Sequence, residues 1–301
     1  TMMLCGAELG RDAAIKKYNM KSKFRILPKE FGEYGGEKIF EIEKCCVATN
    51  TMNFENYLNC RNYSFIVHLI GHAVFRPVHK LIQKLGISWY DFSRLITDAT
   101  QDKNFKSKFK DVYNEFCKES LNELFDSEQD AVEFYTKPKN YESLTNGDVG
   151  ENLIGKYTAR GLFFYDDVLT AIFHVIREKC NGTYDEKLSS ILSSSEKWLK
   201  NLYMLTEIFE DRKQEIDEKN NYKLDIDFDF PSWLSKSDLP FDQFKKHTTY
   251  EFNYDLNKLN YLRNEINSIS GKHKVKDFTR YVMLFKQMGA DILEKRFKKI
   301  N

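Results

Sequence analysis

Between Asn53 and about Asn220, apolar residues recur at intervals of three and four, the period of a helix with one buried face. The spacing predicts successive helices interrupted near Pro77, at Gly86-Ile87-Ser88, at Asp102-Lys103, from Pro138 to Gly150 and at Asn181-Gly182-Thr183. Two of them read as long. In one, from about Tyr184 to Ile216, positions 188, 191, 195, 198, 202, 205, 209 and 212 are Leu, Ile, Ser, Trp, Leu, Leu, Phe and Arg. Six apolar residues on one seam predict a face buried against another helix of the same chain, since Ser195 and Arg212 weaken it as a free coiled coil. Its companion runs from about Gly150 to Lys179 with Ile154, Tyr157, Gly161, Phe164, Val168, Ile172 and Val175 along one stripe. The short turn between them predicts antiparallel packing.

The two ends of the chain have another texture. A helix is expected from Arg11 to Tyr18 and an extended stretch around Phe24-Arg25-Ile26-Leu27-Pro28, and the run Ile39 to Thr49 after Gly35-Gly36 reads as a strand. Near the other end, Leu224 to Phe230 (LDIDFDF) and Thr248 to Tyr254 (TTYEFNY) alternate with the period of two that strands require, and predict a small hairpin-like pairing. Helices are expected near Asp255–Asn267, Val275–Phe285 and Gln287–Lys299, with the KRFKK ending as a solvated helix terminus. The fold class that follows is mainly α. Three regions are expected: 1–50, 51–220 as a helical domain, and 221–301 as a small mixed strand and helix unit.

Composition narrows the functions open to such a chain. Lys+Arg 46 against Asp+Glu 45 leaves a net charge of +1 in 301 residues, so no overall field attracts nucleic acid or an anionic membrane. The best apolar run, Ser64 to Phe75, contains His68 and His72 and is too short to span a bilayer. The six cysteines, at 5, 45, 46, 60, 117 and 180, include no C-x-x-C pair, which disfavours a zinc knuckle or redox motif and suits a reducing cytoplasm.

Few residues suggest chemistry directly. His68 and His72 are one turn apart on an expected helix and could chelate a metal, although no glutamate follows His68 as in H-E-x-x-H and Pro77 separates them from His79. The plainer reading makes them polar residues packed near a helix face. Cys45-Cys46 on a strand should point to opposite faces, one buried and one exposed. Asp166-Asp167 and Glu207, Glu210 and Asp211 read as solvated faces. The chain has no G-x-x-x-x-G-K-[ST] or G-x-G-x-x-G phosphate loop and no G-x-S-x-G elbow.

Several segments carry a resemblance. L-C-G-A-E-L at 4–9, K-K-Y-N-M-K at 16–21, F-R-I-L-P-K-E-F-G at 24–32 and T-N-T-M-N-F-E-N-Y-L-N-C-R at 49–61 resemble the place where the barrel of a radical S-adenosylmethionine protein passes into its C-terminal extension. The subgroup is the one with an N-terminal cobalamin-binding domain. T-Y-E-F-N-Y-D at 249–255 and K-R-F-K-K at 295–299 resemble the terminal unit of the same subgroup. The resemblance implies that residues 1–50 are the end of an α/β barrel with a linker strand. It also implies that the [4Fe-4S] cluster, S-adenosylmethionine and cobalamin are held upstream of Thr1, because the C-x-x-x-C-x-x-C loop and the D-x-H-x-x-G motif do not occur here.

On that reading the chain is a C-terminal fragment that covers a substrate pocket, is not catalytic alone and has the upstream domains as its partners. Members of the subgroup often methylate unactivated carbons. Glu8 and Arg25 are then the candidate substrate-side residues, while Tyr57, Cys60 and Arg61 pack at the junction. In the plainer alternative, Glu8 caps the helix that begins at Arg11 and Arg25 pairs locally. Cys5-Gly6 departs from the Pro-Gly usual at that loop. The rival readings are a freestanding helical interaction module and a small metal-dependent helical enzyme using His68 and His72.

Overall fold

The computed structural model describes residues 3, 6–183, 185–205, 222–270 and 290–300, except the side chains of residues 183 and 266–270. It is mainly helical, as the period of three and four requires. A short helix α1 (Asp12–Lys17) leads into an antiparallel hairpin of β1 (Lys21–Tyr34) and β2 (Glu37–Ala48). The turn is Gly35-Gly36, both at positive φ (60° and 87°), which a two-residue hairpin loop demands and glycine supplies without steric cost. The strand expected from Ile39 is therefore there. Its partner is the neighbouring strand of its own hairpin, and every strand pair among the described residues is antiparallel, whereas the strands of an α/β barrel run parallel.

The helical body follows: α2 (Phe54–Ile70), α3 (Arg76–Lys84), α4 (Trp89–Gln101), α5 (Lys108–Asn122), α6 (Glu128–Thr136), α7 (Pro138–Thr145), α8 (Leu153–Phe163), α9 (Tyr165–Lys179) and α10 (Glu186–Leu202). Local chemistry sets most of these starts. The side chains of Asn53, Ser88, Ser107, Ser127, Asn152 and Asp185 each accept a backbone N–H of the first turn that the helix itself cannot pair. Pro77 and Pro138 sit in first turns, where a missing N–H costs nothing. Phe65, Leu69, Phe116, Tyr157 and Ile172 lie in one continuous core, with the Phe65 and Phe116 rings 4.5 Å apart. At Gly161 on α8 an added Cβ would stand 2.8 and 2.9 Å from the two methyls of Leu69, so the α2–α8 crossing uses a glycine to come this close.

Several expectations are corrected. The helix expected from Gly150 to Lys179 is two helices, because Phe164 leaves helical geometry (φ −99°, ψ 39°) between α8 and α9. α9 does pack against α10. α10 ends at Leu202, not Ile216: Tyr203 turns extended and bridges to Glu294, and the Met204 N–H donates to Leu293 O at 2.9 Å. Positions 209 and 212 of the expected seam, with Glu207, Glu210 and Asp211, lie outside the described residues, as does the helix expected at Val275–Phe285.

The alternating runs pair as expected. β3 (Tyr222–Ile226) is antiparallel to β4 (Thr248–Asn253), with α11 (Phe230–Leu234) between them and α12 (Leu256–Ser270) after. The helix expected at Gln287–Lys299 is instead a single 3-10 turn (Ala290–Leu293) followed by β5 (Arg296–Lys299), the third strand of that sheet. Its reason is tertiary: Phe297 reaches Trp198, 4.7 Å between ring centres, while Lys299 pairs with Asp229, Lys298 with Glu251 and Arg296 with Asp255. Cys45 and Cys46 are both buried, which corrects the expectation of one exposed thiol. The hairpin base has cover on both faces, so a change of face no longer means a change of solvent.

Candidate functional site

The site is the joint between the hairpin and the helical body. On β1 and β2, Lys23 is paired with Cys45 and Arg25 with Glu43, so these four share one face of the pleat. That face meets the end of α5. Arg25 donates from Nε to Glu43 and from Nη1 to Glu123 at 2.8 Å, and Glu123 also accepts from Arg61 Nη2 of α2. Arg61 donates further to Ser120 Oγ at 3.2 Å and to the Tyr57 hydroxyl at 3.3 Å. Burial works against charge on Arg25, but attraction and a hydrogen bond from Glu123, with further attraction from Glu43, together outweigh it and lift its pKa above the ordinary value. The Cys45 thiol beside it is pushed up by desolvation, so it is a packed thiol rather than a nucleophile.

The joint continues along α5 as a stripe of glutamates four residues apart. Glu119 accepts from both Lys156 Nζ (2.8 and 2.9 Å) and the Tyr157 hydroxyl (2.6 Å) of α8, and Glu115 pairs with Arg160. Burial, and then the bond to Glu119, holds the Tyr157 phenol far above its usual range. Four cations (Arg25, Arg61, Lys156, Arg160) thus meet four carboxylates (Glu43, Glu115, Glu119, Glu123). The arrangement fastens α2, α5, α8 and the hairpin together. Arg25 spends two of its donors inside this network.

The other expected residues lie apart from it. Glu8 is exposed in a 3-10 turn (Glu8–Gly10); α1 has no side-chain cap, and Glu8 contributes only its carbonyl, which accepts the Arg11 N–H. His68 is on α2, but the helix stops at Ile70, so His72 is not one turn along it. Gly71, where a Cβ would meet Val67 O at 2.7 Å, closes that helix, and buried His72 caps the next turn through Nδ1 and the Val74 N–H. His79 on α3 bonds Ile70 O at 2.8 Å, and burial holds its pKa below the ordinary value. Among the described residues, no group of three His, Cys, Asp or Glu side chains is arranged to hold a metal ion. No described helix is long and apolar enough to cross a membrane.

A shallow groove of about 520 Å³ lies elsewhere, between α10 and the loop after β3. It is lined by Asp185, Ser190, Ser193, Lys197 and Asp227, among others, with Ser194 Oγ accepting the N–H groups of Asp227 and Phe228. It contains none of the residues singled out from the sequence. Glu43, Glu119 and Glu123 were not singled out either, although the spacing of Glu115, Glu119 and Glu123 was a readable signal of a charged helix stripe. A scan against protein-family models finds no match to this chain, and neither does comparison with curated proteins.

Proposed function

We propose that this chain is the substrate-covering C-terminal part of a cobalamin-type radical S-adenosylmethionine enzyme. Its role is to shape and shield a pocket in which radical intermediates must be kept from water. The observation that carries the proposal is the meeting at Glu123. Arg25 comes from the resembling segment 24–32 and Arg61 from the resembling segment 49–61, and both donate to that one carboxylate. Segments that resemble one family at separate places in the sequence thus act together in space.

The described cysteines do not fit a [4Fe-4S] cluster. Cys45, Cys46 and Cys180 are buried, Cys117 is half-buried and Cys60 is exposed, with no three arranged around a common centre among the described residues. No redox step is therefore assigned to this chain. In this proposal cluster, S-adenosylmethionine and cobalamin are bound by other domains of the same polypeptide.

The test is to read the coding DNA upstream of Thr1, express the whole reading frame without oxygen, and measure iron, cobalamin and cleavage of S-adenosylmethionine. The proposal expects the frame to continue back into a C-x-x-x-C-x-x-C loop and the whole protein to cleave S-adenosylmethionine. A frame closed by a stop codon just before Thr1, or a whole protein without iron, would refute it and leave a freestanding helical interaction module.

A further inference from the structure

The far end of the hairpin has chemistry that the joint does not use. One face, with Phe31, Phe40 and Ile42, packs on Tyr135, Tyr141 and Leu144 of α6 and α7. The opposite face presents Tyr34 (69% exposed) and Ile39 (50%), with the Tyr34 ring lying over Gly32. Glu37 and Glu41 share this face, Glu30 and Glu33 stand nearby on β1 with Glu33 on the side of Phe31, and all four are exposed and without an ion-pair partner among the described residues. The nearby cations are engaged: Lys29 with Glu151, and Lys38 with Thr136 O and the Tyr141 ring.

The outer edge of β2 is open beside this patch. Phe24 exchanges both backbone bonds with Phe125, away from β2, and its cross-strand partner Lys44 accepts the Met3 N–H on the other side. By the two-residue period, the N–H and C=O groups of Lys38, Phe40 and Ile42 also point outward. No backbone partner meets them among the described residues. A second copy of this edge would set Glu37 and Glu41 near their own kind, which opposes self-pairing.

We infer that this end of the hairpin docks an extended basic segment of a partner protein, which adds as a third strand along β2 between Lys38 and Ile42. Backbone bonds hold the segment, and its cations, on the face shared by Tyr34, Glu37, Ile39 and Glu41, neutralise the glutamates while their aliphatic stems cover Tyr34 and Ile39. The probe is a capped heptapeptide of alternating lysine and valine, titrated by fluorescence anisotropy, with the alternating glutamate and valine peptide as control. The lysine peptide should bind at least tenfold tighter than the control. The paired change Glu37→Lys with Glu41→Lys should reverse the preference, and Lys38→Pro should abolish binding while the melting temperature shows each variant folded. Equal binding of the two peptides, binding that survives Lys38→Pro, or a peptide-free dimer through this edge in sedimentation would overturn the inference.

Discussion

Glu123→Gln removes one negative charge from between two guanidinium groups. In the native chain Glu123 accepts from Arg25 at 2.8 Å and from Arg61, with side chains 13%, 24% and 12% exposed respectively. Removing one partner of a fully buried pair costs about 3–5 kcal/mol, because the charge left behind has neither water nor counterion. Here partial exposure, the retained amide oxygen and the Glu43 that still pairs with Arg25 lower that, while the Arg25–Arg61 repulsion that Glu123 no longer screens raises it, so a loss of about 2–3 kcal/mol is expected. Urea unfolding followed by far-UV circular dichroism measures it. The exposed pair Arg94–Asp98, 50% and 54% exposed, is the internal control, and Asp98→Asn should change stability by no more than about 0.5 kcal/mol. A cycle with Arg61→Met should show a coupling of at least about 1 kcal/mol, since the two residues share one bond. A Glu123→Gln loss no larger than that of Asp98→Asn, or single costs that simply add, would refute the clamp.

Three further outcomes follow from the packing and the charges. Phe297→Ala should cost roughly 2–3 kcal/mol, less than a fully buried Phe because this ring is 40% exposed; a shift of Trp198 fluorescence to longer wavelength would report the loosened β5. Burial opposes ionisation of Asp229, but bonds from Lys299, Tyr250 and Ser232 outweigh it and hold the carboxyl below its ordinary 3.8. Its stabilisation is therefore present above about pH 4 and lost as pH falls through the lower folded value, so Asp229→Asn should flatten the acid limb of a stability–pH curve. Gly161→Ala should destabilise by about 1–3 kcal/mol through overpacking against Leu69, and thermal melting within error of the parent would show that the α2–α8 crossing can yield.

The break of the 150–179 stripe at Phe164 shows where sequence reading stops. Ile154, Tyr157 and Gly161 keep one phase and Val168, Ile172 and Val175 another nearly in line with it, so a one-residue departure from helical geometry leaves no trace in the spacing. At the C-terminus, R-F-K-K can be read as a helix end or as a strand, and local preference does not separate the two. The Trp198 ring, 99 residues before Phe297, and the Asp229 carboxylate, 70 residues before Lys299, select the strand. The candidate site was half legible. Arg25 was picked out, but the carboxylates that engage it, Glu43 across the hairpin and Glu123 at the end of α5, are brought to it only by folding.

By itself the sequence determined the mainly helical class, most helix starts and the Gly35-Gly36 turn. These rest on interactions within a few residues: a side chain accepting an N–H three positions on, an apolar stripe with the helical period, a backbone angle that glycine reaches freely. The tertiary structure alone decided that Cys45 and Cys46 are both buried, that His72 leaves the α2 stripe to cap a turn, that residues 296–299 form a strand, and that Arg25 faces Glu123. Each of these depends on which surface lies opposite. Burial, ring contact and charge pairing are energies between residues far apart in the chain, and a one-dimensional pattern does not record them.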